Sequence, residues 1–233
     1  MAAELEETLR EVARIGPYFD LVPPEDGPVW RPVSDIYHAA DPVALDGLIS
    51  LVHRRLGAGE RRVAASILVQ GYAAHLWSPV LATVAACGRI PDLSSLWWRY
   101  VDGEPLNLRV REYRSWAATD VVTGTLQVVS TVHLGPLITA VRSTVRLSER
   151  LLWGNVASAL AGALPVIKQH RPDLSTDAAT LAIALLDRPP LRSAGTLVER
   201  VHNGQTALSY RRRTCCLYYR IPGGGLCGDC VFA

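Results

Sequence analysis

Four of the chain's five cysteines lie in its last nineteen residues: Cys215 and Cys216 are adjacent, and after ten residues comes Cys227-Gly228-Asp229-Cys230. Thiolate sulfurs ligate zinc and iron–sulfur clusters, and four of them in one short segment can complete a coordination shell unaided. The layout predicts a metal or cluster site. A zinc ribbon offers two separate C-x-x-C hooks, whereas one hook here is replaced by neighbouring cysteines, whose side chains diverge in an extended chain. Diverging sulfurs suit two irons better than one small tetrahedral ion, although a bent backbone would bring both to a single metal.

The ten residues between the pairs contain Gly223-Gly224-Gly225. Three glycines let the backbone wrap closely and aim N–H groups at cluster sulfurs, or they form a plain flexible turn. Tyr218 and Tyr219 are candidates to shield one face of the centre, or to pack in a core. Arg211, Arg212, Arg213 and Arg220 flank the cysteines. Cations beside an anionic cluster raise its potential and can dock a chelate or redox partner; the alternative is a solvated charge run. Lys168 is the sole lysine, so basic charge here is nearly all arginine, whose planar fork suits oxyanions.

Cys-Cys-Leu-Tyr-Tyr-Arg, Pro-Gly-Gly-Gly and Cys-Gly-Asp-Cys closely resemble the C-terminal motif of FhuF-type ferric-siderophore reductases. The resemblance implies a [2Fe-2S] cluster held by Cys215, Cys216, Cys227 and Cys230, with no catalytic residue beyond the cluster. Upstream, Leu76-Trp77-Ser78-Pro79-Val80-Leu81 and Arg150-Leu151-Leu152-Trp153-Gly154-Asn155 look like the body of the same family. A related helical domain occurs in siderophore synthetases, which lack the cysteine tail. The implied activity is one-electron reduction of Fe(III) in a hydroxamate siderophore, because hard oxygen donors hold Fe(II) far less tightly. Arg146, Arg150, Trp153 and Asn155, with Arg212, Arg213 and Arg220, are the candidate substrate-binding residues; for Trp153, burial in a helical core is the plainer reading.

The elements that must position this segment are legible in part. With 233 residues, 49% hydrophobic and 20% charged, the chain has the composition of a globular protein with a sizeable core. Residues 4–15 predict a first helix, and Pro17 through Pro32 an irregular connection. Helical spacing from Asp41 stops at Gly57, and a second run goes from Glu60 toward Trp77. Pro79 predicts a break or kink before a short buried helix over Val80 to Cys87. Leu96 to Val101 and Leu106 to Tyr113, around Asp102-Gly103-Glu104-Pro105, predict a hairpin, with Thr125 to Val132 as a third strand. Helices follow over residues 135–146, 148–169 and 175–186, with Ser148 and Ser175 as N-caps. Residues 188–209 predict at most one short helix. The sum is a helix-rich α+β fold: a siderophore-recognition body over residues 1–205 with a small antiparallel sheet, and a cluster-binding segment over 206–233.

The rest is mainly exclusion. A net charge of +2 gives no field that would draw the protein to nucleic acid. The N-terminus lacks the layout of a signal peptide, and the apolar stretch Leu151 to Ile167 is interrupted by Gly154, Asn155, Ser158 and Pro165, so it predicts a buried helix rather than a membrane span. An odd cysteine count fits reduced thiols and a cytoplasmic setting, with Cys87 a small buried hydrophobe. His75 and His133 fall in apolar periodic segments and are not needed as ligands. No G-x-G-x-x-G follows a strand, so electrons must come from an external ferredoxin, flavin reductase or free reduced flavin. A monomer is the favoured state. The competing readings are a zinc-stapled binding module and an electron carrier or redox sensor that meets no siderophore.

Overall fold

The computed structural model describes residues 2–23, 29–37, 42–101, 106–202 and 205–232. Helix α1 (Ala2–Ala13) buries Leu5, Leu9 and Val12 along one face, and a 3-10 turn (Pro17–Phe19) follows it. A two-residue strand β1 (Arg31–Pro32) and the single turn α2 (Ser34–Tyr37) lead to α3 (Pro42–Leu56), which ends at Gly57 with φ 57°.

The spine is α4 (Arg61–Cys87), stopped by Gly88 in the left-handed conformation with its N–H on Val84 O at 2.8 Å. The break expected at Pro79 does not occur, and α4 runs through it as one helix. Proline in a helix interior costs about 3 kcal/mol. Here Leu76 to Val84 are buried on every side, and α4 packs against α1, α3 and two later helices, so tertiary burial outweighs the local cost.

β2 (Ile90–Pro91), β3 (Leu96–Arg99), β4 (Asn107–Val110) and β5 (Ser115–Trp116) form two small antiparallel sheets, ordered β1-β3-β4 and β2-β5. The expected hairpin is β3–β4, with Leu96 opposite Val110 and Trp98 opposite Leu108; its turn, residues 102–105, lies outside the described residues. Its third strand is β1, not Thr125 to Val132. That stretch is helical: α5 (Val121–Leu126) passes through wider π-type turns (Gln127–Leu134) into α6 (Gly135–Thr144). Asp120 caps it, accepting from the Thr123 N–H at 3.1 Å, and Thr125, Val128, Val129 and Leu134 turn inward at helical spacing. A three-to-four-residue period outranked β-branched composition.

α7 (Glu149–His170) begins after Ser148, which sits at the cap position without a side-chain bond, and a 3-10 turn (Pro172–Leu174) leads into α8 (Ser175–Leu186). By length and composition, Glu149–His170 and Val121–Thr144 could each cross a membrane; the most apolar window of the first is 61% buried against its neighbours, as suits a core helix. The last elements correct the short helix expected before the cysteines. β6 (Gly195–His202) and β7 (Gln205–Arg212) are eight-residue antiparallel strands, Gly195 opposite Arg212 and Leu197 opposite Tyr210. Residues 203 and 204, between the two strands, lie outside the described residues. The division expected at residue 205 thus falls at the start of β7, whose partner strand lies before it.

His75 and His133 are buried within the helical body. His133 Nδ1 lies 2.9 Å from Tyr37 Oη, and the Tyr18 ring sits 4.4 Å from the His75 ring. Burial lowers His75 from 6.5 to about 3 and His133 to about 4. The unfolded chain takes up these protons near its ordinary pKa and the folded one only well below it. Stability is therefore full above about pH 6.5 and falls as pH drops toward 4, by about 1.4 kcal/mol per pH unit for each histidine. Urea unfolding at pH 7 and pH 5 should show this loss, and His133→Gln should shrink it; an equal loss in that variant would remove His133 from the account.

Candidate metal centre

β7 carries the chain out of the body, and the Arg213 N–H continues the ladder onto Ala194 O at 2.9 Å. The segment then coils on itself. Leu217, between the cysteine pair and a 3-10 turn (Tyr218–Arg220), has φ 69°, a left-handed conformation unusual for a branched residue. That bend points the Leu217 N–H at Cys215 Sγ (3.3 Å) and the Tyr218 N–H at Cys216 Sγ (3.5 Å). At the other pair, the Cys230 N–H closes a turn on Cys227 O at 3.1 Å, and the Phe232 N–H reaches Cys230 Sγ at 3.4 Å. Amides two residues on therefore face three of the four sulfurs. The close wrapping expected of the glycines is present: Gly223 and Gly225 have φ 74° and 66°, and a Cβ on Gly224 would run into Tyr218 O.

The coil brings Cys216 Sγ and Cys227 Sγ to 3.4 Å. Cys216 and Cys230 are buried, Cys215 and Cys227 half-buried. Burial, with the neighbouring thiol added, pushes Cys227 up to about 12, and burial raises Cys215. Crowded thiols resist ionising until a metal's charge sits among them, so the donor set fits a metal-bound centre better than a redox dithiol. Among the described residues no three His, Cys, Asp or Glu side chains converge closely enough to hold a metal ion. Amide donors to sulfur are what thiolate-held clusters carry.

The body grips this coil in two places. Ile221 packs with Ala58 and Val63 at the start of α4, and Arg220 bonds Glu60 on the surface beside it. Deeper, Ser66 Oγ donates to Cys216 O (2.7 Å) and Asn155 Nδ2 donates to Ser66 Oγ (2.8 Å) and Ser66 O (2.7 Å). Asn155 Oδ1 accepts from Arg212 Nη2. The Arg212 N–H in turn donates to Asp229 O at 3.3 Å, between the second pair of cysteines.

Between body and coil lies a cavity of about 940 Å³, at the upper end of the roughly 300–1,000 Å³ usual for small-molecule sites. Its origin is visible along α4. That helix is buried almost all round, yet Ile67, Gln70, Gly71 and Ala74 stay partly open along one stripe, and this stripe lines the cavity. Small residues of α7, among them Ala159 and Gly162, form the facing wall, and Cys216, Cys227, Tyr218 and Asp229 close one side. Among its described lining residues Asp229 is the only charged one.

The candidate substrate residues are scattered relative to this cavity, and none of them lines it. Arg146, Arg150 and Arg213 are exposed, and Trp153 is half-buried with its Nε1–H on Glu149 at 3.3 Å. Asn155 and Arg212 are fully buried and bonded to each other, holding the coil rather than facing solvent. Tyr218 lines the cavity, while Tyr219 is exposed and meets the Phe232 ring edge-on at 5.9 Å. Sequence reasoning missed Gln70, Gly71, Ala159 and Gly162; the signal was small and polar residues at helical spacing on a helix otherwise apolar all round.

No curated protein matches the chain. Residues 212–232 match the family model described as FhuF 2Fe-2S C-terminal domain, the segment that runs from the buried arginine through all four cysteines. The C-terminal segment is thus similar to a 2Fe-2S domain of the FhuF type, consistent with the family its motif resembles, and its cofactor is a [2Fe-2S] cluster.

Proposed function

We propose that the protein is a cytoplasmic ferric-siderophore reductase, with Cys215, Cys216, Cys227 and Cys230 as cluster ligands and the adjoining cavity as the seat of the ferric chelate. The observation that carries this reading is that Cys216 and Cys227 form part of the cavity wall. A chelate seated there is already beside the thiols, which is the positioning an electron transfer needs. When bound, the [2Fe-2S] cluster supplies one electron, converting chelated Fe(III) to Fe(II) and leaving the oxygen donors with a weakly held ion. The electron is replaced by an external ferredoxin or flavin reductase.

The lining supports a hydroxamate substrate. Three monoanionic hydroxamates cancel the charge of Fe(III) and leave a neutral chelate, whereas three catecholates leave a trianion. The described lining offers hydroxyls and an amide from Tyr18, Gln70, Ser78, Ser158, Ser209, Tyr210 and Tyr218, and one carboxylate, with no basic group. A trianion would enter against Asp229 with nothing to compensate it.

The test begins with purified protein made anaerobically, reduced with dithionite and freed of excess reductant. Adding ferrioxamine with a ferrous trap should reoxidise the protein as one Fe(II) per cluster is trapped. An intact cluster that stays reduced would favour an electron carrier or sensor, and a colourless zinc protein would end the redox reading.

A further inference from the structure

Arg212 is the one arginine among the described residues that is fully buried, at 1% exposure. Its Nη2 donates to Asn155 Oδ1, a neutral acceptor, while its buried Nε and Nη1 have no hydrogen-bond partner among the described residues. Gly154 packs directly against this part of the segment: a Cβ there would strike Thr214 Oγ1, two residues beyond Arg212. Asn155 is fixed in turn by Ser66, which also holds Cys216 O. One hydrogen-bonded chain thus ties the guanidinium to the segment that carries the cysteines. Arg212 also lies close enough to Cys215 for its charge to act on that sulfur.

A cation taken out of water with two unused donors is strongly unfavourable unless an anion sits nearby. Among the described residues no carboxylate pairs with it, and Asn155 brings a dipole but no charge. Four metal-bound thiolates supply the missing anion, and their net negative charge grows when the centre takes up an electron. We propose that Arg212 is the internal counter-charge of the cluster, held in place by Asn155 as a positioning residue, and that it raises the reduction potential by stabilising the added electron. This rests on the four cysteines holding the cluster. The other arginines of the segment are placed differently: Arg213 is exposed, and Arg220 is on the surface against Glu60. Solvent and salt screen such charges within about a Debye length, roughly 8 Å at physiological ionic strength, while a buried one escapes most of that screening.

The test is a mediated redox titration of the loaded protein with dithionite as one-electron source, followed by visible absorbance, at low and high salt. Arg212→Gln should lower the midpoint by a similar amount at both salt concentrations. Arg213→Gln should leave it near wild type, or shift it only at low salt, and Arg212→Lys should restore most of the loss. Asn155→Asp, which sets a carboxylate against the intact guanidinium, should lower the midpoint with Arg212 still present. A wild-type midpoint in Arg212→Gln at full iron and sulfide content overturns the proposal. Should that variant not retain iron, a fully loaded Asn155→Asp with a wild-type midpoint overturns it equally. Wild-type protein lacking iron and sulfide would instead sink the cluster reading beneath it.

Discussion

Replacing Cys227 with serine is expected to give a colourless protein with iron and sulfide near zero, against about two irons per chain in the wild type. Ferrous release from a chelate should fall to background with it. Cys216 and Cys227 are the stringent pair among the four, since their sulfurs contact each other and both residues line the cavity, and Cys227 is the less buried of the two. A serine hydroxyl keeps the shape but is a poor ligand for iron in a thiolate-held cluster. Cys87→Ser is the matched control: that thiol sits at the end of α4, donates to Thr83 O at 3.3 Å and lies outside the coil. The visible spectrum and an iron/sulfide assay decide the matter. Full occupancy in Cys227→Ser would remove this residue from the ligand set.

The second large effect is on the substrate side alone. A Cβ on Gly162 meets no atom within 4 Å, and the residue lines the cavity, so Gly162→Leu fills space that the fold leaves open. Gly71 on the facing wall has the same property. Leucine suits a helix interior better than glycine by roughly 0.5–1 kcal/mol, so neither change should unfold the protein. With the cluster intact, reduction of a bulky ferric hydroxamate should drop at least tenfold, equivalent to about 1.4 kcal/mol. Reduction of ferricyanide, which is small enough to react at the surface, should be unaffected. Chelate reduction at the wild-type rate in both variants would place the substrate elsewhere.

Read from sequence, the chemistry-bearing end was the most legible part, because cysteine spacing is local and metal ligation demands particular residue types. The helices that bury one face, α1 and α3, were equally plain from their apolar period. Pro79 misled because its local cost is real but smaller than what surrounding burial supplies, a quantity that exists only once α1, α3 and α7 have packed. Thr125 to Val132 misled because β-branched residues also fill helix faces when a cap such as Asp120 starts the helix. Arg212 could not be told from Arg211 and Arg213 in a run of three. Strand register makes the difference: in β7 neighbouring side chains alternate, and the one in the middle goes inward toward Asn155. The cavity was invisible for a similar reason, since it depends on which stripe of α4 lacks a neighbour.

The thiol-bearing coil is itself one wall of that cavity. Many enzymes assemble their reacting groups by swinging a lid or a domain over a bound substrate, and turnover then waits on the hinge. With the chelate seated as proposed, donor and acceptor would share a partition, so arrival and alignment would be a single event. How long a chelate lingers, rather than how fast a gate shuts, would then be the quantity on which selection among iron carriers acts.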